Sequence, residues 1–101
     1  MANSHEITLT EAVTMTHDFQ NDATFSGMTV SCGYDASVFE DLLAQGGATG
    51  IRIYFAKNSA GTLTTVLVAT DEAGNDLTEG LLMDKSILCP YNCPADSPLM
   101  A

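Results

Sequence analysis

The chain has 101 residues, 46% of them apolar, which suffices for one domain with a single core and is too apolar for a disordered segment. Thirteen acids against three bases give a formal net charge of −10. Such a surface repels phosphate backbones and anionic lipid, which argues against nucleic-acid and membrane-surface roles.

The acids are scattered in ones and twos, so they read as solubilising charge rather than as a polyacidic tail. Tryptophan is absent, and the core must rest on Leu, Ile, Val, Met and Ala. The opening residues Met1 to Glu6 are polar and lack the basic and apolar stretches of a secretory signal. No apolar run approaches the length of a membrane span. The expectation is a soluble cytoplasmic protein without membrane insertion, with signal-independent export left open. Three cysteines are an odd count, against a fully paired secreted framework.

The first periodic segment runs from Ile7 to about Gln20. Its threonines alternate with Ile7, Leu9, Val13 and Met15, as in a strand, but Glu11 and His17 would then lie on the apolar face. Leu9, Ala12, Val13 and Thr16 fit one side of a helix, and Thr8-Leu9-Thr10-Glu11 is a capping box. The segment is predicted to be helical.

Met28-Thr29-Val30-Ser31-Cys32 predicts a half-buried strand with Met28, Val30 and Cys32 inward. Ser37-Val38-Phe39-Glu40 is a second capping box, opening a short helix with Val38, Phe39, Leu42 and Leu43 buried and Gly46-Gly47 closing it. A hairpin follows. Ile51, Ile53 and Phe55 share one face of its first strand, Asn58-Ser59-Ala60-Gly61 is the turn, and Leu63 to Ala69 is the second strand. Val66 to Ala69 is apolar on both faces, which predicts a central strand. Asp71 to Asp76 is another tight turn, and Leu77 to Leu88 is expected to finish the sheet.

The order predicts one α+β domain over residues 1–101: a small, mainly antiparallel sheet, two helices on one face, and an irregular Cys/Pro tail. The alternative is a parallel crossover from Met28 to Phe55.

Leu42-Leu43-Ala44-Gln45, Gly50-Ile51-Arg52-Ile53-Tyr54-Phe55, Asp71-Glu72-Ala73-Gly74-Asn75-Asp76 and the closing Cys-Pro loop occur in one order. In this the chain resembles a group of small uncharacterised single-domain proteins of Bacteroidota. The group has no established activity, so the resemblance implies a shared fold and nothing catalytic.

Chemistry is concentrated in Cys89-Pro90-Tyr91-Asn92-Cys93-Pro94. Cys89 and Cys93, with Cys32 and His17 or His5, are the candidate ligands for a zinc ion, which takes four thiolates and imidazoles. The spacing is wide for a zinc knuckle, and no second close pair exists. A Cys89–Cys93 disulfide is sterically possible but needs an oxidising compartment. The favoured reading is two partly buried, reduced thiols.

Arg52, the only arginine, lies between two isoleucines. It is either an outward charge paired with an acid on a neighbouring strand, the favoured reading, or an anion-binding or interface anchor. His17 reads as a surface helix residue, and Asp71 to Asp76 as a turn rather than a calcium loop.

No catalytic constellation, phosphate loop or hydrolase elbow is present, and the expectation is a non-enzyme. The leading function is an interaction or self-assembling structural protein whose partner is itself or another protein, with no cofactor. The alternatives are a metal- or redox-responsive module using Cys89 and Cys93, and a small anion-binding domain using Arg52.

Overall fold

The computed structural model describes residues 3–101. Helix α1 (Leu9–Asn21) starts where the first capping box lies: Thr8 Oγ1 accepts from the Glu11 amide at 3.1 Å, and the Thr8 amide donates back to Glu11 Oε1 at 3.2 Å. These bonds decide helix over strand, because they satisfy amides that a helix start leaves bare. A single 3₁₀ turn (Ala23–Phe25) follows, and Phe25 stacks on Phe19 with ring centroids 4.7 Å apart.

The centre is the expected hairpin of β2 (Gly50–Lys57) and β3 (Leu63–Thr70), antiparallel along its whole length from Gly50↔Thr70 to Lys57↔Leu63. Asn58 Oδ1 accepts the amides of Ala60 and Thr62, and Gly61 takes φ +83°, so the turn chemistry read from the sequence sets the register. Strand β4 (Leu82–Met83) joins the far side of β3, giving the order β2-β3-β4 with β3 central. That position explains its apolar character on both faces: Leu67, Val68 and Ala69 are all buried.

Helix α2 (Ala36–Leu43) lays Leu42 against Leu67 and Ala69, with Phe39, Ile51 and Met83 around them. Gln45 then ties the helix end to the returning chain. Its amide donates to the Leu42 carbonyl, and its Oε1 accepts from the Leu81 amide, each at 2.9 Å.

Several expectations need correction. The segment at Met28 to Cys32 forms only a three-residue strand β1 (Ser31–Gly33), and Thr29 is buried while Met28 is exposed. The Thr29 hydroxyl donates to the Leu63 carbonyl, so this polar side chain can go inside at little cost. The unit is not a parallel crossover. β1 instead pairs antiparallel with β5 (Ile87–Cys89) in a separate two-stranded sheet, so of the segment Leu77 to Leu88 only β4 finishes the main sheet, and the Cys/Pro tail beyond β5 is irregular as expected.

The second capping box does not form. Asp35 stands at the cap position without a side-chain bond, and Ser37 and Glu40 lie inside α2. With the helix starting at Ala36, Leu42 is 0% exposed and Leu43 is 48% exposed, so only one of the two leucines is core.

Candidate functional site

Strand β2 is an edge of the three-stranded sheet. In an antiparallel pair, residues bond to the partner strand at alternate positions. The Asn58 amide bonds to the Thr62 carbonyl, and the Ala69 carbonyl turns away from β2 to accept from Leu77, both at 2.9 Å. Continuing that alternation, Arg52, Tyr54 and Ala56 bond to β3, whereas Ile51, Ile53 and Phe55 direct their N–H and C=O groups to the open edge. Among the described residues, no backbone bond from outside the hairpin reaches these three.

The same residues share a sheet face, as the sequence predicts, but the cover is unequal. Ile51 is half-buried under α2, Ile53 is 54% exposed and Phe55 is 80% exposed. Beside Phe55 lies an apolar groove of about 250 Å³, lined by Phe19, Val30, Cys32, Leu63 and Thr65. It separates the end of α1 from the hairpin.

On the opposite face, Arg52 and Tyr54 converge on Asp76. The Arg52 guanidinium ion-pairs with one carboxylate oxygen, the Tyr54 hydroxyl donates to the other, and Arg52 Nη1 also donates to the Gly74 carbonyl at 3.1 Å. The hydrogen bond to Asp76 raises the pKa of Arg52 and likewise that of Tyr54. Arg52 is thus paired with an acid, in the turn following β3 rather than on a neighbouring strand. That turn closes on Asp71, whose carboxylate accepts the amides of Ala73 and Asn75 and is held below the usual carboxylate range chiefly by Asn75.

The structure joins Cys89 and Cys93 in a disulfide, which corrects the reduced-thiol reading. The two Cα atoms are 4.7 Å apart, and Cys89 is completely buried beneath the Val30 backbone, whose amide donates to the Cys89 carbonyl at 2.8 Å. Neither sulfur is then a thiolate, the form zinc takes. Cys32 is a free, half-buried thiol opposite Leu88. His17 is on α1, where Nε2–H donates to the Pro98 carbonyl at 3.0 Å. The proposed ligands are therefore not brought together, and among the described residues no three His, Cys, Asp or Glu side chains stand close enough to share a metal ion.

The bond from His17 is part of a clasp between α1 and the chain end. Gln20 donates to the Leu99 carbonyl at 3.0 Å and accepts from the Ala101 amide at 2.8 Å. No helix among the described residues is long and apolar enough to cross a membrane.

Sequence reasoning passed over the open edge of β2 and the Asp76 clamp. The first had only a partial signal: β2, like the central strand β3, has eight residues and no acid, and differs in carrying Arg52 and Lys57. The second had none, because it depends on where the turn after β3 returns.

No family model, curated protein or solved structure matches this chain.

Proposed function

We propose that this chain is a non-enzymatic interaction or self-assembling structural protein whose partner is another copy of itself or another protein. The observation that carries this reading is surplus surface. The chain exposes 7284 Å², whereas a compact monomer of 10.6 kDa exposes about 5,500 Å². Its radius of gyration, 15.3 Å, likewise exceeds the roughly 13 Å usual for 100 residues. The surplus of about 1,800 Å² is more than twice the ~800 Å² that each partner buries in a standard protein interface.

Exposed side chains at Leu9, Met15, Ile53, Phe55 and Leu82 supply the apolar component that such an interface requires. Arg52 supports the anion-binding alternative poorly, since its charge is already matched by Asp76. The Cys89–Cys93 bond favours a redox-responsive reading over a metal-binding one, because its opening would release a loop now pinned to the second sheet.

Native mass spectrometry combined with light scattering, from micromolar to millimolar protein, tests the principal reading. Multiples of the chain mass without added ligand are expected. A strict monomer across that range would exclude self-assembly.

A further inference from the structure

The surplus surface does not say which part of the chain meets a partner, but the open edge of β2 does. We propose that β2 pairs antiparallel with β2 of a second copy about a two-fold axis at Ile53, joining two three-stranded sheets into one of six strands. This rests on the self-association reading above and specifies its mode.

Two observations support a second copy as the occupant. The first is the backbone. Ile51, Ile53 and Phe55 offer alternating donors and acceptors along the edge, and a two-fold axis makes such an edge complementary to itself.

The second is charge. β2 carries Arg52 and Lys57 and no acid; with Asp76 matching Arg52, the strand and its strap sum to +1, and the rest of the chain, with twelve acids and only Lys85, to −11. Two strongly acidic molecules therefore approach at least electrostatic cost through this strand.

Side chains choose the register. A two-fold axis normal to the sheet keeps each face continuous, so odd-numbered residues meet odd-numbered ones. Centred on Arg52, the pairing sets two guanidinium groups opposite one another; centred on Tyr54, it sets Lys57 against Ile51. Centred on Ile53, it places Ile53 against Ile53 and Phe55 against Ile51 on one face, and Arg52 against Tyr54 on the other. Only this last arrangement keeps the apolar face unbroken and like charges apart. Phe55, 80% exposed in the single chain, is then covered.

The test uses the full chain in a Cys32→Ser background, which removes the free thiol. In this register the two position-53 Cα atoms lie about 5.5 Å apart, within disulfide reach. Ile53→Cys is expected to give, on mild oxidation, a covalent dimer whose peptide map links position 53 to position 53. Ile53→Pro removes a donor that the hairpin does not use but the dimer needs twice, and should weaken dimerisation by about tenfold or more. Circular dichroism checks that the fold survives. If Ile53→Pro unfolds, Ile53→Lys serves instead, setting two cations against each other at the dyad without touching the ladder.

A dimer that persists undiminished in the folded variants and gives no position-53 link overturns the β2 pairing while leaving self-association standing. A wild-type chain that stays monomeric overturns both.

Discussion

Arg52, in the middle of β2, reaches the carboxylate of Asp76, and Tyr54 two residues further along occupies that carboxylate's other oxygen. One acid thus straps the turn after β3 back across the hairpin, on the face opposite α2.

The strap makes Tyr54 a reporter. Its hydrogen bond to Asp76 stabilises the neutral phenol and raises the pKa above the ordinary tyrosine value of about 10. For a group whose folded pKa is raised, the contribution to stability is complete below the unfolded value and disappears as pH rises through the folded one. The tyrosinate absorbance lost on Tyr54→Phe substitution should therefore develop above pH 10, and Asp76→Asn should move it to lower pH. Unchanged titration in Asp76→Asn would refute the strap. The pair is exposed, so the melting temperature should fall by only a few degrees.

Leu42 and Leu43 are adjacent and chemically identical, yet only Leu42 is buried. Leu42→Ala should destabilise by about 2–5 kcal/mol, a large share of the roughly 5–15 kcal/mol available to a domain. Leu43→Ala should stay within about 0.5 kcal/mol. Urea denaturation of the two variants compares them directly, and similar losses would contradict the placement of α2.

The two apparent capping boxes should also behave differently. Thr8→Ala removes a formed cap and should cost about 1 kcal/mol, seen as faster amide exchange in the first turn of α1. Ser37→Ala lies inside α2 and should be neutral or slightly stabilising. Bonds from Thr8 hold the Glu11 carboxyl below its ordinary range. A depressed pKa contributes stability above the unfolded value and loses it as pH falls through the folded one, so the first turn should fray in acid.

Opening the Cys89–Cys93 disulfide should cost at most about 2 kcal/mol, because the ring it closes is short. Intact mass should show the oxidised chain two hydrogens lighter, and Cys93→Ser should match the reduced wild type in denaturation midpoint. A far larger loss would mean that the second sheet depends on the link.

Association should strengthen as salt rises. Each copy carries −10, and the Debye length shortens from about 30 Å at 0.01 M to 8 Å at 0.15 M ionic strength. Light scattering across that range should show growing mass. A declining mass would indicate that ion pairs, rather than apolar and backbone contacts, hold the copies together.

Much of the local structure was legible in the sequence by itself. The α1 cap, the Asn58–Gly61 turn, the β2–β3 register and the central place of β3 follow from interactions within a few residues or from strict alternation, which the chain carries in its own order. The α+β class follows from those elements. Tertiary structure decided what depended on distant partners. Thr29 goes inside because Leu63 offers a carbonyl 34 residues away, and Leu43 stays out because the start of α2 rotates Leu42 toward Leu67. Arg52 and Tyr54 meet Asp76 because an isolated bridge at Thr70 brings the turn back. Cys89 can reach Cys93 while β5 pairs with β1, and β2 remains an open edge because β4 joins the other side of β3. Burial and pairing of this kind are properties of surfaces brought together, and periodicity along one chain does not encode which surfaces meet.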